Sequence, residues 1–163
     1  MFLIVEVSGL RLMPCILLFI IVISFGTACT GIMHKELPDS PIKPTISVGD
    51  SRISYHMGAY CWTGTNSNSG ICSDPPHTET FNKIIEGDAS EARPKQILNI
   101  NFPIIPDNYT LYLENKDGTR EQVQYNILKG RYSLPKENGY YLYVLSAKWG
   151  ENDVTYYFGV NVR

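Results

Sequence analysis

The chain has 163 residues, of which 44% are hydrophobic and 18% charged, a balance typical of one globular domain with additional segments. Its formal net charge of −2 gives no basis for nucleic-acid binding or for a polybasic membrane patch. Tyrosine is enriched, with 11 copies, nine of them from Tyr109 onward. Because aromatic residues favour strands, this enrichment indicates β-structure in the second half of the chain.

The N-terminal segment is typical of a targeting sequence. Arg11 precedes an uncharged run from Leu12 to Cys29 with a strongly apolar centre at 16–23. The run ends in Thr27-Ala28-Cys29, which resembles a bacterial lipobox, in which the cysteine is diacylated and becomes the mature N-terminus. We therefore expect residues 1–28 to be a signal peptide and Cys29 to carry palmitate-type acyl chains. The protein would then lie on the extracytoplasmic face of the plasma membrane, lipid-anchored.

Two alternatives for this segment remain open. The run is about long enough to cross a bilayer as an uncleaved helix, and a freely secreted product is the third possibility. After the run, residues 29–45 contain Pro38, Pro41 and Pro44 among polar residues. This composition predicts an extended spacer that lifts a folded domain, residues 46–163, away from the membrane.

A polar loop lies between Cys61 and Cys72, and it lacks the apolar periodicity that would hold it in one conformation. If Cys15 leaves with the signal peptide and Cys29 carries lipid, these two are the remaining cysteines. An even pair in an exported domain predicts a disulfide.

A metal site is the alternative use of the same cysteines. His56 and His77 flank the pair, and the set His56, Cys61, Cys72 and His77 could offer tetrahedral zinc ligands. The two cysteines are not closely spaced, as a chelating pair would be, and export favours oxidation. A redox-active or free thiol pair is a further alternative, although the chain has no Cys-x-x-Cys motif.

The downstream pattern is mostly strict alternation of apolar and polar residues, which indicates strands. In chain order the strands are expected near 45–48, 52–56, 95–102, 109–114, 121–127, 140–149 and 154–162, with a short helix near 79–86. Asp117-Gly118 predicts a hairpin turn, because Asp-Gly accepts the positive φ that such turns need. About seven short strands at this spacing predict an all-β, antiparallel β-sandwich.

The last two strands are expected to form a hairpin at the centre of the core. In one strand Tyr143, Leu145 and Trp149 share a face, and in the next strand the residues Tyr156, Phe158 and Val160 do so. A short polar turn separates them, so the two apolar faces should lie side by side.

Several motifs together resemble a family of small lipoproteins of Gram-positive bacilli that have no established activity. The matching stretches are Gly139–Trp149 with its alternating aromatics, the final Tyr- and Phe-rich strand, Gly58-Ala-Tyr-Cys-Trp62, and Cys72-Ser-Asp74 followed by Pro75-Pro76. The resemblance covers most of residues 45–163 and implies an immunoglobulin-like fold outside the membrane. The long loop between the cysteines and the stretch 78–94 depart from the family pattern.

Aromatic side chains are the candidates for ligand binding. Tyr112, Tyr140 and Tyr157 fall on strand faces opposite the expected core, and Trp62 lies beside the first cysteine. Together such rings could stack on sugars or peptides. The alternative is that exposed tyrosine simply suits strands, or that a loop covers this face.

The sequence therefore predicts a membrane-anchored, non-enzymatic module that binds or packs in the cell envelope, without a cofactor. No Gly-x-Ser-x-Gly or His-Glu-x-x-His motif is present. The expected partner is a cell-envelope protein or polysaccharide. No nucleic-acid partner is expected. The alternatives are a carbohydrate- or wall-peptide-binding module that uses the surface tyrosines, and a metal protein built on the cysteine loop.

Overall fold

A computed structural model describes residues 35–75, 78–125 and 131–163. Within these ranges the chain forms eleven strands and one helix, here called α1. Their bounds are β1 Thr45–Val48, β2 Ser51–Arg52, β3 His56–Trp62, β4 Ile71–Ser73, α1 Thr78–Gly87, β5 Ser90–Ala92, β6 Ile97–Asn101, β7 Asn108–Glu114, β8 Arg120–Gln122, β9 Tyr132–Ser133, β10 Gly139–Trp149 and β11 Asn152–Val162.

The strands form two sheets, which confirms the predicted β-sandwich. One sheet has the order β2-β1-β6-β9 and the other β4-β3-β11-β10-β7-β8, with β5 also paired to β11. The β5–β11 pairing is parallel, and the other described pairings are antiparallel. In an immunoglobulin sandwich, strands A, B and E are neighbours in one sheet, and C′, C, F and G are neighbours in the other. Here β1, β6 and β9 occupy the first set of positions and β8, β7, β10 and β11 the second.

The structure departs from seven strands because an insertion lies between β1 and β6. It contains β2, β3, β4, α1 and β5, and β3 and β4 extend the larger sheet beyond β11. Two predicted strands differ in extent. The strand expected at 52–56 is divided between the end of β2 and the start of β3, and the strand expected at 121–127 is described only as Arg120–Gln122. Residues 126 and 127 of the latter lie outside the described ranges.

The predicted central hairpin is confirmed as β10 and β11. Tyr143 pairs with Phe158 and Leu145 with Tyr156 across the two strands. Their side chains point between the sheets, where each is at most 1% exposed, and the Tyr143 and Phe158 rings stack with centroids 5.1 Å apart. Alternation along both strands thus places one continuous apolar face against the smaller sheet, which contributes Ile46.

The helix expected near 79–86 is confirmed as α1, and it covers the outer face of the larger sheet. Phe81 and Ile85 pack there against Leu142 and Tyr157. Close approach requires Gly159, because a Cβ at this position would lie 3.0 Å from the Ile85 carbonyl oxygen. The larger sheet is therefore buried on both faces along part of its length.

The segment 35–44, which the sequence places in a spacer, is packed on the sandwich. The Trp62 indole N–H donates to the Pro38 carbonyl at 2.8 Å, and the Tyr156 hydroxyl donates to the Ile42 carbonyl. Ile42 is 3% exposed and belongs to the core. The compact unit accordingly runs Lys35–Arg163 instead of beginning at residue 46.

The expectations for the signal peptide, for Cys29 and for residues 29–34 of the spacer fall outside the described residues. Within the described part of the chain, the single helix is too short and too polar to span a bilayer.

Candidate functional site

The cysteine loop is closed by a disulfide between Cys61 and Cys72, as predicted. The two residues are direct partners in the β3–β4 pairing. The alternative metal set is therefore wrong, because these sulfurs are bonded to each other and are not thiolate ligands. His56 has another partner, with its Nε2 2.8 Å from Asp88 Oδ2, and His77 lies outside the described residues. In the ranges that the structure covers, no cluster of His, Cys, Asp and Glu is arranged to hold a metal ion.

Trp62 belongs to the core and not to a ligand-binding surface, which corrects the prediction. Its side chain is 2% exposed, and its ring meets the Trp149 ring edge-on with centroids 5.5 Å apart. The hydrogen bond to Pro38 satisfies its indole N–H. Trp62 therefore fixes the end of β3 against the hairpin and the N-terminal segment.

Two further contacts hold the loop between the cysteines. The Asn152 Oδ1 accepts a hydrogen bond from the Thr63 backbone N–H at 2.6 Å, and the Asn152 Nδ2 donates to the Thr63 carbonyl at 3.1 Å. The side chain thus bonds to the backbone as a neighbouring strand would. The Thr65 N–H donates to the Leu37 carbonyl at 3.0 Å, and the Leu37 N–H donates to the Thr65 hydroxyl oxygen. The loop is thus fastened on both sides and not only at its disulfide.

The predicted tyrosine surface is only partly realised. Tyr112 and Tyr157 do lie opposite the core, on either side of Val144 in the strand register. However, Tyr157 is covered: its ring lies 5.1 Å from the Phe81 ring, and its hydroxyl accepts a hydrogen bond from Arg120 at 2.9 Å. Helix α1 therefore divides this face, and the three tyrosines do not form one exposed surface.

Tyr140 lies in a cleft of ≈ 640 Å³ between α1 and the β7–β8 turn, which we call the distal cleft. The helix contributes Asn82 and Glu86, the turn contributes residues 114–118, and β10 contributes Tyr140 and Leu142 as the floor. Tyr140 is 36% exposed, so part of its ring is open to a ligand. The turn itself is the predicted Asp-Gly turn, with Gly118 at φ +81°.

The charges around Tyr140 determine what the distal cleft can bind. Burial, together with the nearby carboxylates of Glu86 and Glu114, raises the pKa of Tyr140 to about 12. Its hydroxyl is therefore protonated at neutral pH and can donate a hydrogen bond. Arg120 Nε donates to Glu114 Oε2 at 2.8 Å, so this carboxylate is already partly neutralised.

The β7–β8 turn is ordered by its own hydrogen bonds. The Thr119 hydroxyl and backbone N–H both donate to Asp117 and lower the pKa of that carboxyl. The Asn115 amide donates to the Thr119 hydroxyl at 3.0 Å. A preformed rim of amide and carboxylate groups around an aromatic ring suits hydroxyl-rich or peptide ligands.

Sequence reasoning identified Tyr140 but missed the residues around it. The sequence pattern predicts the elements that carry Asn82, Glu86 and Glu114 at the correct positions along the chain. It does not indicate that α1 folds over the sheet. The signal that could have been used is Gly159, a glycine inside an otherwise regular strand, which indicates close backbone approach.

A comparison with known proteins finds no protein-family model, no curated protein and no solved structure that matches this chain.

Proposed function

We propose that the chain is a lipid-anchored, extracytoplasmic β-sandwich protein that acts as a non-enzymatic binding module of the cell envelope. The observation that carries the proposal is the Cys61–Cys72 disulfide, because such bonds persist in oxidising compartments. It agrees with the apolar N-terminal run that ends in Thr27-Ala28-Cys29. Two acyl chains on Cys29 would provide stable anchoring, at about 0.8 kcal/mol per buried methylene.

Metabolic labelling tests the anchor. In a bacterial host, the full chain should incorporate radioactive palmitate, and a Cys29→Ser variant should lose the label. Cys15→Ser is the matched control, since Cys15 precedes the expected cleavage site, and it should label like the unaltered chain. Equal labelling of the Cys29→Ser variant would contradict the lipobox and favour the uncleaved helix.

Binding without catalysis is supported by the state of the reactive groups. Cys61 and Cys72 are consumed by the disulfide, so they do not provide a thiolate nucleophile. The distal cleft contributes hydrogen-bonding groups and a partly open ring, which is the composition of a recognition surface.

A second candidate function is carbohydrate or wall-peptide binding at the distal cleft, and it rests on Tyr140. The half-buried ring offers a stacking face, and Asn82 and Glu86 can hydrogen-bond hydroxyl or amide groups. Retention of the purified domain on isolated cell wall tests this function. Tyr140→Ala should reduce retention strongly, whereas Tyr112→Ala, on the same sheet face outside the cleft, should not. Equal retention of the two variants would contradict binding at this cleft.

A further inference from the structure

We infer that the end of the sandwich where the described chain begins rests on the surface of the lipid bilayer. We call this the basal end and define it by Lys35, Ile71, Ile105 and the β10–β11 turn. The inference rests on the proposed lipid anchor at Cys29.

The entry of the chain into the domain is fixed. Lys35 Nζ donates to Asp107 Oδ1 at 2.6 Å and to the Ile105 carbonyl at 2.7 Å. Asp107 is held in turn by the Gly150 N–H, which donates to Asp107 Oδ2 at 2.7 Å. The first described residue is therefore fastened to the loop before β7 and to the turn after β10.

The length of chain between the anchor and this point limits the distance to the membrane. Cys29 precedes Lys35 by six residues. A chain spans at most about 3.3–3.6 Å per residue, so Lys35 lies within roughly 21 Å of the lipidated residue in any conformation. The basal end is consequently the part of the domain closest to the bilayer.

The same end carries the most exposed apolar side chains in the described ranges. Ile105 is 73% exposed and Ile71 is 60% exposed. A series of contacts connects the two isoleucines at this end. Ile71 pairs with Trp62 across β3 and β4, and the Trp62 ring contacts the Trp149 ring. The Trp149 indole N–H in turn donates to the carbonyl of Ile104, which precedes Ile105. Ile105 lies between two prolines, which restrict the backbone that presents it.

Charge indicates which membrane contact to expect. Lys35 and Lys148 are near Asp107 and Glu151 in this part of the chain, so both signs are present, and Lys35 and Asp107 form an ion pair. Contact with the bilayer should therefore depend on the isoleucines and not on attraction to anionic lipid.

This placement orients the distal cleft away from the membrane. Strand β10 extends from Gly139, next to the cleft, to Trp149 at the basal end. With a rise of about 3.3 Å per residue, its 11 residues separate the two ends by roughly 33 Å. The binding surface would then face the cell wall.

Site-specific fluorescence on the lipidated full chain tests the inference. A free thiol is introduced by Ile105→Cys, labelled with an environment-sensitive dye, and the protein is reconstituted into phosphatidylethanolamine–phosphatidylglycerol vesicles. Nitroxide lipids labelled at the headgroup should quench this dye several-fold more than a dye at Ile84→Cys. Ile84 is the matched control because it is also exposed, at 45%, but lies on α1. Added salt should leave the quenching unchanged.

The outcomes separate this inference from the proposed function. If the chain incorporates palmitate and binds vesicles but both dyes are quenched equally, the basal end does not rest on the bilayer, and the inference is overturned. If the Cys29→Ser variant still binds vesicles and still labels, the proposed anchor itself is wrong. Urea melts of both cysteine variants should match the unaltered chain, which verifies that quenching reports position and not unfolding.

Discussion

The packing of α1 on the outer face of the larger sheet makes Tyr157 a sensitive position. From alternation alone Tyr157 faces solvent, and its truncation to alanine would cost about 1 kcal/mol or less. In the structure its ring pairs edge-on with Phe81, its hydroxyl accepts from Arg120, and it lies over Gly58, where a Cβ would come within 2.3 Å of the ring. Tyr157→Ala should therefore cost substantially more.

The magnitude follows from the contacts that are lost. An aromatic pair contributes about 0.5–1.5 kcal/mol beyond its buried area. A hydrogen bond contributes about 0.5–1.5 kcal/mol net. Together with the lost burial of a half-buried ring, the expected loss for Tyr157→Ala is roughly 2–3 kcal/mol. Phe158→Ala, in the fully buried face of the same strand, should cost about 3–5 kcal/mol.

Urea denaturation of a double-mutant cycle isolates the pair. The variants are Tyr157→Ala, Phe81→Ala and the double variant, and we expect a coupling energy of about 0.5–1.5 kcal/mol. Tyr157→Phe is the matched control, since it keeps the ring and removes only the hydroxyl, and it should cost about 0.5–1.5 kcal/mol. A Tyr157→Ala cost below about 1 kcal/mol, together with zero coupling to Phe81, would refute the packing of α1 on this face.

Three further predictions concern the disulfide and ionisation. Replacing Cys61 and Cys72 by serine should lower the free energy of unfolding by roughly 3 kcal/mol, and a reductant should shift the urea midpoint of the unaltered domain but not of this variant. The Lys35 side chain and the Gly150 N–H lower the pKa of Asp107 below 3.8. The contribution of the ionised Asp107 to the free energy of unfolding is therefore present above that pH and is lost as pH falls through the folded-state pKa. Asp107→Asn should make the acid limb of a stability–pH curve shallower, and an unchanged limb would contradict this contact. Burial raises the pKa of Tyr143 and Tyr156 above 10.0, so the stability that these two buried hydroxyls contribute should be constant below pH 10 and fall as pH rises above it. The tyrosinate absorbance of these two residues should appear together with unfolding and not before it.

The elements that the sequence predicted well are those determined by local pattern. The alternation of Tyr143 and Leu145 along β10, and of Tyr156 and Phe158 along β11, defines which side chains share a face, because successive side chains in a strand point to opposite sides. The turn at Asp117-Gly118 was predictable for a local reason too, since Gly118 has a φ of +81°.

What could not be predicted depends on contacts between distant segments. Prolines at 38, 41 and 44 favour an extended backbone, both in a free spacer and in a segment that packs along a domain. Only the contacts of the segment, such as the hydrogen bond from Trp62, distinguish these two cases. Alternation likewise assigned Tyr157 to the correct face without indicating that α1 covers it. The distal cleft combines both problems, because Glu86 and Glu114 meet around Tyr140 only once the helix has folded over the sheet.

The packing of segment 35–44 has a mechanical consequence. A pull applied to the chain ahead of Lys35 would meet three contacts in turn: Lys35 with the loop before β7, Leu37 with the disulfide-closed loop at Thr65, and Ile42 with the core. Because these contacts follow one another along a single segment, tension from its N-terminal end loads the Lys35 contact before it reaches Ile42. Neither α1 nor the β7–β8 turn takes part in these contacts, so tension on this segment would not act directly on the cleft that they form.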